Sequence, residues 1–209
     1  MVQTIAAEQL TLYDLEQKFQ LQRVYDRSFL AEWQNVVPDL AIGEQERLAR
    51  VRQHYLHLGS RPMLEGMVKM VVVSPLLDLA GFFDAPFYST SEASMNLTAR
   101  DGKVTVRGKM DVLVLLDQLW VLVIESKRAE FSLKVGIPQV LAYMMAAPQG
   151  SSPIYGMVTN GSNFTFLKLV MASMPQYGQS DVFDIERGDD LAMVLQILKQ
   201  LGQRVGGFH

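Results

Sequence analysis

Two apolar runs in the middle of the chain constrain the fold most. VLVLL ends at Leu116, LWVLVI begins at Leu119, and only Asp117-Gln118 lies between them. Both runs place apolar residues on each face of a strand, which is typical of strands that are covered on both sides. A turn this short joins neighbouring antiparallel strands. The sequence therefore predicts two central strands in a sheet that lies between layers of helices.

Strand and helix patterns on either side of this pair extend the prediction. A strand that begins near Phe87 precedes the pair, and Asp101-Gly102 is the hairpin signal between them. The other predicted elements are a helix from Pro62 with a kink at Pro75, a helix over 136–146, two strands around the turn 160–162 and a last helix over 190–201. Residues 61–209 are thus predicted to form an α/β domain with an αβββαβ core, whose mixed sheet is sandwiched by helices.

The first sixty residues show no such strand pattern and are predicted as an N-terminal helical extension, residues 1–60. Its three predicted helices are 11–20 with Thr11 as N-cap, 28–37 with Ser28 as N-cap, and 43–58 with Gly59 as its end.

Composition excludes several kinds of site. The chain has no cysteine, which rules out disulfides and thiolate-bound metals, and its three histidines leave little material for a histidine-rich zinc site. No apolar run approaches the roughly 18 residues of a membrane-spanning helix, and the first residues do not resemble a secretory signal. We therefore expect a cytoplasmic protein outside the membrane. The net charge of −3 argues mildly against nucleic acid as a partner, but basic residues outnumber acidic ones between Arg100 and Lys134.

The segment Glu125-Ser126-Lys127 indicates a functional site, because it places two charged side chains at the end of a buried strand. Residues two apart in a strand point to the same face, so Glu125 and Lys127 should emerge together while Ser126 points away. A three-residue turn over 117–119 would place Asp111 directly across from Glu125. Two carboxylates so close repel each other unless a cation lies between them, and Mg²⁺, which Mn²⁺ can replace, suits oxygen ligands. Lys127 would then stand beside the attacking water, placed to stabilise charge on a phosphoryl group.

Each of these pieces also has a simpler interpretation. Glu125-x-Lys127 alone is equally a solvated strand end with a surface ion pair, and a lone Asp111 is equally a turn residue. The ordered combination is more specific: Gly108-x-x-Asp111, then Glu125-x-Lys127 one hairpin later, then Gln139-x-x-x-Tyr143 on the next predicted helix.

This combination resembles the PD-(D/E)xK nuclease superfamily, which has the restriction endonuclease-like fold. Gly108-x-x-Asp111 and Gln139-x-x-x-Tyr143 are similar to motifs of its RecB-like branch. The segments 63–82 and 155–169 resemble the N-terminal nuclease domain of type I restriction enzyme R subunits. The resemblance covers roughly residues 61 to 170 and leaves the first sixty residues unexplained.

The resemblance implies a role for each matching residue. Asp111, Glu125 and the backbone carbonyl of Ser126 would be metal ligands, and Lys127 would be the catalytic lysine. Gln139 would reach the active site from its helix, with Tyr143 one turn further on. Glu65 would be the first acidic position, which holds a metal directly or through water; a helix-surface carboxylate is the alternative for Glu65.

The expected function is a Mg²⁺-dependent DNA endonuclease, a stand-alone relative of those R-subunit domains. The chain lacks a G-x-x-x-x-G-K-[ST] phosphate loop, so no ATP-driven motor of that type is expected. A homodimer is one expected arrangement, because two copies can cut both strands of a duplex, and restriction-system subunits are the other expected partners. Two alternatives remain open: a non-catalytic nucleic-acid-binding or assembly subunit that keeps the fold, and a structural α/β protein with coincidental motifs.

Overall fold

The structure, a computed structural model, describes residues 3–34, 36–99, 102–148 and 153–206. Within these ranges nine strands form one mixed sheet. The strands are β1 (Gln3–Ala6), β2 (Gln22–Arg23), β3 (Phe87–Thr98), β4 (Val104–Leu116), β5 (Leu119–Ser126), β6 (Ile154–Thr159), β7 (Asn163–Val170), β8 (Gln176–Gln179) and β9 (Phe183–Asp184). The helices are α1 (Leu12–Phe19), α2 (Ile42–Leu58), α3 (Glu65–Val68), α4 (Ser74–Leu79), α5 (Ile137–Met145) and α6 (Asp190–Gly206).

The sheet runs in the order β1-β4-β5-β6-β7-β8-β2, with β3 also paired to β4 and β9 also paired to β7. Strands β3, β4 and β5 form an antiparallel meander, whereas β6 pairs with β5 in parallel. The predicted hairpin between β3 and β4 is present, with Thr98 opposite Thr105; Asp101 itself lies outside the described residues.

Strand β4 shares one of its sides between two neighbours. Strand β3 pairs along its other side, β1 pairs with residues 104–107, and β5 pairs with residues 112–116. Residues 108–111 therefore lie in a gap where β4 has no strand partner on that side. This gap positions the candidate site.

Apolar residues are buried on both faces of the sheet. On one face Val123 and Val158 pack with Leu15 of α1 and Val140 of α5. On the other face, side chains of α2, α4 and α6 pack against Leu122, Ile124 and Phe166. The predicted α/β class with a mixed sheet and helices is confirmed. None of the helices in the described ranges has the length and apolar character that crossing a bilayer requires.

The helix that precedes β3 is interrupted by a π-helical segment, Lys69–Val73. The helical structure begins at Glu65 rather than at Pro62. The predicted apolar side is buried, as Val68, Val72 and Leu76 show. Pro75 cannot donate the usual backbone hydrogen bond and crowds the preceding turn. The predicted irregularity at Pro75 thus takes the form of a widened turn before it.

The prediction of helices throughout the first sixty residues is correct for two segments. Helix α1 follows the predicted N-cap, where the Asp14 amide donates to Thr11 Oγ1 and the Thr11 amide donates to the Asp14 carboxylate, both at 3.1 Å. Helix α2 ends at Leu58 with Gly59 as C-cap, as predicted.

The prediction of a helix over 28–37 is wrong. The Asp26 carboxylate accepts the Ser28 amide at 2.9 Å and caps a single 3₁₀ turn, Arg27–Leu30. The chain then leaves helical geometry, and the Trp33 ring stacks on Phe166 with the centroids 5.9 Å apart. Packing against the sheet outweighs the local helical pattern here.

The extension is also not purely helical, because β1 and β2 belong to the sheet. Strand β1 pairs in parallel with β4, and β2 pairs in parallel with β8. Residues of the predicted segment 1–60 therefore complete the sheet of the predicted segment 61–209.

Candidate active site

Strands β4 and β5 bring Asp111 and Glu125 to adjoining positions. Val112 pairs with Ile124, so Asp111 and Glu125 follow next along the two strands. The turn has two residues rather than the predicted three, with Asp117 at φ 53°. A bulge between Val114 and Leu115 supplies the missing residue and restores the predicted register.

Lys127 and Gln139 extend the site from β5 to α5. The Lys127 ammonium donates to Glu125 Oε1 and to Gln139 Oε1, each at 2.8 Å. Glu125 is 4% exposed and Lys127 8% exposed, so this ion pair is almost enclosed by protein. The Lys127 amide donates to the Thr159 carbonyl at 2.8 Å, which anchors the end of β5 to β6.

Tyr143 continues this hydrogen-bond chain to the gap in β4. Gln139 Nε2 donates to the Tyr143 hydroxyl oxygen at 2.7 Å, and that hydroxyl donates to the Lys109 carbonyl at 2.8 Å. The tyrosine thus binds a backbone carbonyl in the segment of β4 that has neither β1 nor β5 beside it. The four-residue spacing from Gln139 to Tyr143 places both side chains on one face of α5.

Gly108 makes this arrangement possible through its lack of a side chain. A Cβ atom there would lie 2.8 Å from the Ala7 Cβ and 2.9 Å from the Tyr143 hydroxyl oxygen. Both distances are shorter than a van der Waals contact. The glycine of the Gly108-x-x-Asp111 motif therefore has a steric reason in this fold.

Ser126 holds Asp111 in place. Asp111 Oδ2 accepts the Ser126 amide at 2.7 Å and the Ser126 hydroxyl at 2.6 Å. The Ser126 side chain thus contacts Asp111 of β4, whereas the Lys127 ammonium contacts Glu125. The regular β4–β5 pairing stops at Ile124, and the Asp111 side chain takes the role that a backbone acceptor would have next.

Lys69 completes the surroundings of Asp111, and sequence reasoning missed it. Its ammonium lies 2.9 Å from Asp111 Oδ1 and 3.5 Å from Glu92 Oε1. Glu92 has a φ of 55°, and its neighbours Ser91 and Ala93 pair with Val112 and Met110. The left-handed residue therefore lies across from Asp111. No local pattern links Lys69 to a carboxylate 42 positions away.

Burial and charge make Glu125 an unusual carboxylate. Burial and the neighbouring charge of Asp111 raise its pKa to about 8, although Lys127 opposes the shift. Glu125 Oε2 is buried and has no hydrogen-bond partner in the part of the chain that the structure describes. An unpaired buried carboxylate oxygen is costly, so a ligand with positive charge would stabilise this position.

The pKa of Lys69 is raised above its usual value. Burial alone would lower this pKa. The hydrogen bond to Asp111 and the charge of Asp111 outweigh that effect and raise the pKa, with a smaller contribution from Glu92. Lys69 therefore remains an ammonium and carries a positive charge beside Asp111.

A cleft of about 920 Å³ opens above these residues. Glu65 lines it, half-buried, and its charge adds slightly to the raised pKa of Glu125. The other charged residues of its lining are Glu8, Lys69, Glu92, Arg107, Lys109, Asp111, Glu125 and Lys127. The predicted residues Glu65, Asp111, Glu125, Lys127 and Gln139 line this cleft, whereas the buried Ser126 and Tyr143 do not.

Comparison with known proteins identifies no family for this chain. No family model matches the chain, and no curated protein matches it significantly.

The donor set fits a hard divalent cation. Asp111 and Glu125 supply adjacent carboxylates, and Glu125 Oε2 is an unpaired acceptor. Mg²⁺ needs only one or two carboxylates, since it usually keeps several waters. Among the described residues, no three His, Asp or Glu side chains are already grouped as a metal cluster. Glu65 thus shares the cleft with the two carboxylates without forming such a group with them.

Proposed function

We propose that this protein is a Mg²⁺-dependent nuclease that hydrolyses phosphodiester bonds in DNA. The proposal rests on one observation: Asp111, inside β4, adjoins Glu125 near the end of β5, and Glu125 has both a Lys127 ion pair and a buried oxygen without a partner among the described residues. The antiparallel meander, the following α5 and the parallel β6 support a restriction endonuclease-like core. With the motifs, they support membership of the PD-(D/E)xK superfamily.

Each residue has a defined part in this proposal. Asp111, Glu125 and the Ser126 backbone carbonyl would hold the cation, with Glu65 at the wall of the cleft. The cation would supply an acidified water and offset charge on the phosphate. Lys127 would orient the attacking water and stabilise the extra negative charge in the transition state.

The neighbouring residues keep that lysine in position. Gln139 holds the Lys127 ammonium, and Tyr143 holds Gln139 against β4. Attack of water on phosphorus breaks the bond to the 3′ oxygen, which takes a proton and leaves a 3′-hydroxyl and a 5′-phosphate. Arg107 and Lys109 line the same cleft and provide positive charge for neighbouring phosphates.

A second candidate is a nucleic-acid-binding or assembly subunit without activity. One observation favours it: both carboxylates already have ammonium partners, Lys69 for Asp111 and Lys127 for Glu125. A site neutralised in this way is stable without a metal.

Cleavage assays distinguish the two candidates. Plasmid, linear duplex and single-stranded DNA are incubated with Mg²⁺ or Mn²⁺ and with wild type, Lys127→Ala or Lys134→Ala. Lys134 is the matched control, because it is exposed, close in sequence and does not line the cleft. We expect cleavage by wild type and Lys134→Ala, and a loss of at least about 100-fold in Lys127→Ala.

Metal titration completes the test. Asp111→Ala and Glu125→Ala should each remove the heat of Mg²⁺ or Mn²⁺ binding. Cleavage that survives in Lys127→Ala, or metal binding that survives both carboxylate changes, contradicts the proposed site. DNA binding without cleavage in wild type favours the second candidate.

A further inference from the structure

Lys69 contacts Oδ1 of Asp111, the carboxylate oxygen that does not bind Ser126. Oδ2 already accepts two hydrogen bonds from Ser126, at 2.7 Å and 2.6 Å. Oδ1 accepts the Lys69 ammonium at 2.9 Å. A carboxylate offers about four lone-pair directions, so Oδ1 retains capacity for a further ligand. A second cation at Oδ1 would nevertheless stand beside the ammonium and be repelled by it.

Glu92 offers Lys69 a second position. Its Oε1 is 3.5 Å from the ammonium, and its side chain is 58% exposed. Glu92, with its left-handed backbone at φ 55°, lies on β3 opposite Asp111 of β4. Lys69 is therefore between two carboxylates, one tightly held by Ser126 and one largely in solvent. Because Glu92 Oε1 already lies 3.5 Å from the ammonium, Lys69 keeps an ionic partner if it leaves Asp111.

We propose that Lys69 is a built-in competitor for the metal: it pairs with Asp111 in the metal-free protein and moves to Glu92 when a divalent cation binds. This inference rests on the proposed metal site. The ammonium neutralises Asp111 until the cation arrives, and the cation must displace it. Lys69 therefore weakens metal binding, and Glu92 reduces that effect by accepting the released ammonium.

The direction of this effect separates competition from a purely structural ion pair. If Lys69 only maintained the shape of the site, its removal would leave metal affinity unchanged or reduce it. If Lys69 competes, removing its charge must increase metal affinity, while the metal-free protein loses stability because Asp111 has lost a partner. Only competition predicts an increase in metal affinity when Lys69 is replaced.

Calorimetric titration of Mn²⁺ and Mg²⁺ into the full chain, without DNA, tests the proposal. Lys69→Met should bind about tenfold more tightly than wild type. Lys18→Met is the matched control, since Lys18 forms a similarly exposed ion pair with Asp14 at 2.7 Å, on a helix that does not line the cleft. It should leave metal affinity unchanged.

A double-mutant cycle tests the role of Glu92. Glu92→Gln should weaken metal binding severalfold while Lys69 is present, because the released ammonium then has no carboxylate to accept it. In the Lys69→Met background the same change should have a smaller effect, which is due only to the lost negative charge near the metal. Equal effects in both backgrounds would overturn the proposed transfer to Glu92.

The failures of the two proposals are distinguishable. Wild-type metal binding that Asp111→Asn abolishes, but that Lys69→Met leaves equal or weaker, overturns the competition and keeps the metal site. Metal binding absent from wild type and Lys69→Met alike overturns both. Circular dichroism before each titration confirms folding, and Lys69→Gln replaces Lys69→Met if the latter does not fold.

Discussion

Glu125 shows how a residue can be stable in the fold and still be poised for a ligand. Its ion pair with Lys127 offsets part of the cost of burial, but Oε2 has no partner. Removing one member of such a buried pair is costly, because the other charge remains uncompensated. Binding of either a proton or a cation at Glu125 would therefore stabilise the folded protein.

The pH dependence of stability should reveal the proton. The pKa of Glu125 is about 8 in the folded protein, above the usual glutamate value of 4.5. Between these values the folded state binds more protons than the unfolded state, so stability falls as pH rises through this window. In EDTA, wild type should lose stability from about pH 5 to about pH 8 relative to Glu125→Gln, whose amide does not titrate.

Urea unfolding of both proteins across this window measures the difference. Added Mg²⁺ should restore wild-type stability at the upper end and leave Glu125→Gln unchanged, because a bound ligand stabilises the folded state. Parallel stability curves for the two proteins in EDTA would contradict the assignment of the raised pKa to Glu125.

At the scale of elements, β4 organises the site through its interrupted pairing. Strand β1 pairs as far as Arg107 and β5 pairs from Val112, and in the gap between them the side chain of Tyr143 binds the β4 backbone. Helix α5 is thus attached to β4 at Lys109, two residues before Asp111. A change in the gap should affect packing and chemistry together.

Gly108→Ala tests this coupling. The new methyl group would lie within 3 Å of Ala7 and Tyr143, and overpacking of this kind costs about 1–3 kcal/mol. Displacement of Tyr143 should also loosen Gln139 and Lys127, so cleavage should fall beyond the loss of folded protein. Gly43→Ala is the control, because nothing lies within 4 Å of its Cβ position.

Urea unfolding and cleavage rates at matched folded fractions separate the two effects. Gly108→Ala as stable and active as Gly43→Ala would show that the close approach at the gap is not needed.

Across the whole molecule, sequence predicted elements whose pattern is continuous and local. Each of these patterns is contained in a short stretch of sequence. Examples are the apolar runs of β4 and β5, the Thr11 cap and the Gln139-x-x-x-Tyr143 spacing. They predicted the central strands of the sheet, α1 and a helix at the position of α5. The register of Asp111 and Glu125 also followed, even though a two-residue turn and a bulge replace the predicted turn.

Features formed by distant segments could not be predicted in this way. Strand β1 has only four residues, and its partner begins at Val104, so its pairing has no local signal. Lys69 looks like an ordinary polar residue on an amphipathic helix until the fold places it beside Asp111. The exposed Glu92 acquires its position from a left-handed backbone within a strand that the alternation pattern alone describes as regular.

The N-terminal residues should prove inseparable from the rest of the fold. Leu15 is fully buried and packs in the same core as Tyr143, whereas Tyr13 on the same helix is 69% exposed. Leu15→Ala should therefore cost about 2–5 kcal/mol, and Tyr13→Ala should cost little. Removal of residues 1–23 would also take away β1 and the contact of Ala7 with Gly108. That shortened chain should lose cooperative urea unfolding and metal binding, because the wall of the site loses its support. A shortened chain that unfolds with the wild-type midpoint would instead show that the fold does not need residues 1–23 of the predicted extension.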